Sequence, residues 1–146
     1  MDYFHVEGDT KFALFLLDMR FRWGFSGGVD NDGEAFLLGG RWVYSDEPVR
    51  MVRGYGLHFA KNFWLLNTRI FLPVITNGAF ELLCDLARLA DAKTSDARTL
   101  VGYGIGVRYW LQWFDWLEGT MLRIHYGVPK EGIKHGFLYA GLGWEF

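Results

Sequence analysis

"LVGYGIGVRYWLQW", residues 100 to 113, is built on a period of two. Val101, Tyr103, Ile105, Val107, Tyr109, Leu111 and Trp113 alternate with Gly102, Gly104, Gly106, Arg108, Trp110 and Gln112. Successive side chains of a strand point to opposite sides, so this spacing makes a strand with one apolar face and one small or polar face. Residues 12 to 26 repeat it, with Ala13, Phe15, Leu17, Met19, Phe21, Trp23 and Phe25 against Asp18, Arg20, Arg22, Gly24 and Ser26. Three charges on one face of a strand whose other face is apolar imply a wet interior and an apolar exterior.

The same rule runs through four further segments. Trp64, Leu66, Thr68, Ile70 and Leu72 oppose Asn67 and Arg69; in residues 79 to 90, Phe80, Leu82, Cys84 and Leu86 point outward and Glu81, Asp85 and Ala87 inward. Leu122, Ile124, Tyr126 and Val128 oppose Arg123, His125 and Gly127, and Leu138, Ala140, Leu142, Trp144 and Phe146 oppose Tyr139, Gly141, Gly143 and Glu145. Turn signals separate the segments: "EGDT" at 7–10, "TNG" at 76–78, "ADAKTSDAR" at 90–98, "DWLEG" at 115–119 and "PKEGIKHG" at 129–136. The expected fold is all-β: an antiparallel up-and-down transmembrane β-barrel, of which six strands lie in residues 1–146.

Composition agrees. The 146 residues are 51% hydrophobic and 18% aromatic, more than the core of one small domain absorbs. The longest apolar run, Phe12 to Leu17, is far short of the roughly 18 residues of a membrane-spanning helix. Alternating strands can meet a bilayer while mean hydropathy stays near zero, here +0.04. A net charge of −2 gives no footprint for nucleic acid. Cys84 stands alone, so no internal disulfide can form, and "MDYFHVEGDT" lacks the basic and apolar regions of a secretory signal.

The last residues, "YAGLGWEF", end on an aromatic, with Trp144 two residues and Gly141 five residues before Phe146. This spacing resembles the C-terminal assembly signal of bacterial outer-membrane barrels. A wider likeness follows from the order of "FLLGG" at 36–40, "VRGY" at 52–55, "NTRIFLP" at 67–73, "FELLCD" at 80–85, "GYGIGVRY" at 102–109 and "LRIHYGVP" at 122–129. The order resembles the C-terminal part of the barrel in the superfamily of BamA, TamA and the two-partner-secretion transporters, the bacterial surface antigen family.

That resemblance implies a location and a function. The chain would sit in the bacterial outer membrane and help insert outer-membrane proteins or translocate polypeptide, with no enzymatic chemistry and no cofactor. Its partners would be outer-membrane lipid, unfolded outer-membrane or secreted polypeptide, and the N-terminal barrel strands and periplasmic modules that this stretch lacks. Residues 27–61 would be a long loop folded into the lumen, carrying Val52, Arg53, Gly54 and Tyr55, and Arg53 would meet Asp85. Alternation independently puts Asp85 on the inward face, where a guanidinium needs a carboxylate. Gly54 would let the loop tip approach the wall closely.

Other readings of the same residues stay open. Phe36, Leu38, Gly40, Trp42 and Tyr44, then Val49, Met51, Arg53, Tyr55, Leu57 and Phe59, also alternate, which would make a complete eight-stranded barrel with Arg53 toward lipid. A soluble lipocalin or fatty-acid-binding barrel would turn the apolar face inward around an apolar ligand. "VDNDGE" at 29–34 holds part of a calcium loop without its remaining ligands. His5, His58, His125 and His135 are not at metal-ligand spacing, and Glu81 and Asp85 share a face with no nucleophile placed near them.

Overall fold

The computed structural model describes residues 4–27, 36–39, 52–91, 96–111 and 120–144. They form one antiparallel sheet of eight strands: β1 (Phe4–Leu14), β2 (Leu17–Gly27), β3 (Phe36–Leu38), β4 (His58–Ile75), β5 (Gly78–Asp91), β6 (Ala97–Trp110), β7 (Thr120–Pro129) and β8 (Phe137–Trp144). Seven of them follow one another up and down in the order β1-β2-β4-β5-β6-β7-β8, and the three-residue β3 pairs with β4 beyond the end of β2. The sheet is open, with β1 and β8 at its two ends.

The expected count of six strands is corrected to seven long ones. Residues 12–26 are not one strand: a two-residue turn at Phe15 and Leu16 folds β1 onto β2, pairing Leu14 with Leu17 and Phe4 with Gly27. Phe15 takes a left-handed φ of 47° there. The turn lies inside the uninterrupted apolar run Phe12–Leu17, where neither polarity nor a glycine marks it. Conversely "EGDT" at 7–10 lies within β1. Its Gly8 faces Trp23 across the ladder and would clash with the indole if it bore a Cβ, while Asp9 takes a bidentate ion pair from Arg20, 2.9 Å and 3.0 Å from Nε. Glu7 and Asp9 here furnish the inner face of a strand rather than a turn.

Boundaries shift elsewhere. The strand read from residue 100 onward runs from Ala97 and ends at Trp110, and β4 begins at His58, inside the expected 27–61 loop. Phe146 and the "VDNDGE" segment lie outside the described residues.

From β2 to β8 the two faces follow the alternation. Register sets Leu14, Leu17, Ile70, Leu82, Ile105, Tyr126 and Leu138 side by side across seven strands, an unbroken apolar row on the outer face. Most of these are exposed, Ile105 at 62% and Leu138 at 67%. The opposite face carries Arg22, Asn67, Arg69, Glu81, Asp85, Arg108, Arg123 and His125. A register shift between Ala60 and Asn62 in β4 lets Ala60, Phe63 and Leu65 all be buried, which period two alone forbids. There β3 and the segment before β4 pack an apolar cluster of Phe36, Leu38, Val52, Ala60, Phe63, Leu65, Ala87, Leu89 and Leu100. The Phe36 and Phe63 rings meet edge to face, 4.9 Å apart.

The register makes a direct test. Thr68 lies opposite Cys84 on the outer face, whereas Asn67 points to the other side. In the Thr68→Cys variant a short bifunctional thiol reagent is expected to bridge residues 68 and 84 within the chain, and in Asn67→Cys it is not. Bridging in the second variant alone would mean a one-residue slip of β4 against β5.

Candidate functional site

The segment from Val52 to Leu57 turns sharply over the inner face of β5 to β8. Arg53 and Gly54 form the turn, closed by the Tyr55 N–H donating to the Val52 carbonyl at 3.3 Å. Gly54 has a φ of 85°, and a Cβ there would run into the backbone of Val128 and Pro129 in β7. Only glycine meets both demands, the left-handed backbone and the absence of a side chain. Val52 is fully buried in the apolar cluster and anchors the turn on one side.

Arg53 is buried at 5% exposure, and Asp85 at 0%. One Arg53 guanidinium nitrogen, Nη1, donates to Asp85 Oδ1 at 2.5 Å, and its backbone N–H donates to Oδ2 at 2.8 Å. Asn67, opposite Asp85 in the ladder, adds a third donor at 2.7 Å, and the Asn67 carbonyl oxygen accepts from Arg22 at 3.3 Å. The carboxylate thus ties the turn to both β4 and β5. Such a pair needs its hydrogen bonds to offset the desolvation of two charges, and removing one partner of a buried pair costs about 3–5 kcal/mol.

Room for the turn comes from glycines. A Cβ on Gly102 would strike the Arg53 carbonyl, one on Gly127 would lie 2.6 Å from the Arg53 Cβ, and one on Gly104 would press its Cδ at 3.2 Å. Gly102 and Gly104 alternate along β6 and Gly127 faces Gly104 from β7, so three strand positions form one shallow floor. From β8 the Tyr139 hydroxyl accepts from the Gly54 N–H at 3.1 Å. Tyr55 reaches the turn between β7 and β8: its hydroxyl donates to Glu131 at 2.8 Å and accepts from the Val101 N–H at 3.3 Å. Burial pushes the Tyr55 phenol above its ordinary value, and the Glu131 carboxylate adds to that.

A second buried carboxylate sits further along β5. Glu81 is in close contact with the His125 imidazole Nε2, with Arg108 Nε at 3.7 Å and Arg69 Nε at 4.0 Å from its Oε1. Arg108 also lies 3.6 Å over the Phe71 ring and 4.5 Å from that of Trp110. Gly106 is opposite both Glu81 and His125, and a Cβ there would strike the imidazole. Both buried carboxylates of the inner face, Glu81 and Asp85, are engaged by cations, and among the described residues no group of three or more His, Cys, Asp or Glu could hold a metal ion.

The structure therefore brings together Val52, Arg53, Gly54, Tyr55 and Asp85, and puts Arg53 in a turn rather than on a lipid-facing strand. Gly141 stands in β8 opposite Arg123, two positions beyond Tyr139, and Trp144 ends that strand opposite Thr120; neither enters the contacts of the turn. Asn67, Tyr139 and Gly127 belong to the site as well. Alternation marked all three as inward, but nothing in their spacing tied them to residues 52–55.

Exchanging the charges tests the pair, and the backbone bond sharpens the expectation. Arg53→Asp and Asp85→Arg are each expected to lower stability by about 3–5 kcal/mol. The double variant should recover only part of this, because an arginine at 85 cannot accept from the residue-53 N–H. A double variant no more stable than the worse single, by urea unfolding, would mean the ion pair is not what holds the turn. Gly127→Ala should cost about 1–3 kcal/mol by overpacking against Arg53.

No protein-family model matches the chain, and neither the curated proteins nor the solved structures contain a significant match to it.

Proposed function

We propose that this chain is the C-terminal part of an outer-membrane β-barrel of the BamA, TamA and two-partner-secretion superfamily. Its work would be inserting outer-membrane proteins or translocating polypeptide across the outer membrane. One observation carries the reading: the Val52–Tyr55 turn lies inside, on a glycine floor, with Arg53 on Asp85. A loop so held fills the space that the inner face encloses and leaves the outer face for lipid.

The placement of polarity supports a bilayer over a soluble carrier of apolar ligands. In a carrier the apolar side would line the cavity, whereas here the inward side holds Arg22, Arg69, Glu81, Asp85, Arg108, Arg123 and His125 while the outward side, apart from the row of Arg88, is apolar. Two-residue turns at Phe15–Leu16 and Thr76–Asn77 lie on one rim together with the nine-residue β6–β7 connection, and the far longer connection between β2 and β4 leaves from the other. An outer-membrane barrel has short turns on one side and longer loops on the other. The open edge of β8 offers unpaired backbone groups, as strand addition requires.

Two measurements test this. Outer-membrane residence predicts that the chain partitions into detergent or bilayers and gains its strand content there; a chain that stays monomeric in plain buffer and binds a fatty acid would overturn it. Translocation or insertion predicts that a photo-crosslinker at Leu138 or Leu142 in the intact parent protein captures client polypeptide in cells. Capture equal to that from Ile105, away from the edge, would argue against a role for the β8 edge.

A further inference from the structure

On the outer face, one row across the sheet differs from its neighbours. Register sets Gly8, Trp23, Trp64, Arg88 and Thr99 side by side on β1, β2, β4, β5 and β6. Arg88 is exposed, and no carboxylate among the described residues pairs with it. The other outward residues of β5, Phe80, Leu82, Cys84 and Leu86, are uncharged. A groove of about 740 Å³ opens at this row, lined by Trp23, Trp64, Phe21, Phe25, Asn62 and Arg88 among others. That lies within the roughly 300–1,000 Å³ typical of ligand pockets.

The height of the row says what it meets. From Gly78, beside the tight β4–β5 turn, to Arg88 is ten steps along β5. At about 3.3 Å per residue and a tilt of about 40° this rises about 25 Å along the membrane normal, the height of the apolar band of an outer-membrane barrel. Arg88 thus stands at the edge of the band on the long-loop side, level with lipid headgroups. Trp64, beside Arg88 in the ladder, stands where interfacial aromatics gather, while Trp23, six steps from Leu17 at the tight β1–β2 turn, rises only about 15 Å and lies on the acyl-chain side of Arg88. The Trp23 ring lies across Gly8, which holds the indole flat against the wall.

We propose that this groove binds the headgroup of a phosphorylated lipid. Arg88 takes the phosphate through its fork of donors, and Trp23, Trp64 and Phe21 take the glycerol end and first acyl carbons. A guanidinium matches phosphate geometry, and phosphate is the anion abundant at this depth. Apart from Asn62 the rest of the lining is aromatic or aliphatic, which favours a lipid over free phosphate. The inference rests on the bilayer reading and adds a specific lipid contact to it.

The test uses the intact parent protein in a phosphate-free detergent micelle, labelled with 5-fluorotryptophan, with the Trp23 and Trp64 resonances assigned by Trp→Phe variants. Dihexanoyl phosphatidic acid is expected to shift both resonances saturably. Arg88→Gln should weaken this at least tenfold and Arg88→Lys much less. Equal affinity in Arg88→Gln, an equal response to dihexanoylglycerol, or the same response to inorganic phosphate alone would each overturn the proposal. A chain that takes up detergent yet fails these tests sinks the lipid site alone; one that never enters a micelle sinks the bilayer reading with it.

Discussion

Two buried charges and the bare backbone beside them organise this molecule. Arg53 cannot be buried without Asp85, and it cannot reach Asp85 unless the wall is free of side chains at Gly102, Gly104 and Gly127. The pair therefore dictates the character of β6 and β7 as well as of the turn. It also explains why Asn67 is where it is: a carboxylate serving two donors from one residue still has a lone pair to satisfy, and the residue opposite in the ladder is the nearest that can donate. Glu81 repeats the device two turns of the pleat away, with Gly106 opening room for His125.

The inner face consequently divides in two. Beyond the Ala60–Asn62 irregularity β3 and Val52 close over an apolar cluster; toward the tight turns the same face is a lattice of arginines around two carboxylates. Tyr139 and Tyr55 join the halves, tying the turn to β8 and to the β7–β8 connection. A turn that touches four strands and the segment beyond them acts as an internal brace. The hydrogen bonds of Arg53 and Gly54 are buried, where competition from water is least.

How far the sequence was legible depended on period. Along residues 64–72, 79–90, 100–110, 122–128 and 138–142 alternation separated inward from outward residues, because polar and apolar types differ sharply at successive positions there. It failed at Phe12–Leu17, where every residue is apolar and a two-residue turn leaves no trace in polarity. It failed again in β1, where Gly8 and Asp9 look like a turn unless Trp23 opposite Gly8 and Arg20, diagonal to Asp9, are known. The meeting of Arg53 with Asp85 was accessible only through resemblance combined with alternation, since 32 positions separate them. Tyr139 and Gly127 had no local signal, because their roles are set by a backbone that approaches from a distant segment.

The sheet leaves two kinds of surface that water serves badly. Its outer rows expose Leu14, Ile70, Leu82, Ile105 and Leu138 side by side, a patch wider than soluble monomers carry without purpose. Its end strands each present one line of ladder hydrogen-bonding groups. Hydrocarbon satisfies the first and penalises the second, since an unpaired backbone amide in lipid costs several kcal/mol. A bilayer around this sheet therefore requires strands beside β1 and β8. On the proposed bilayer reading the outer rows would face lipid and both edges would take further strands, while the Arg53–Asp85 pair holds the turn against the wall between them.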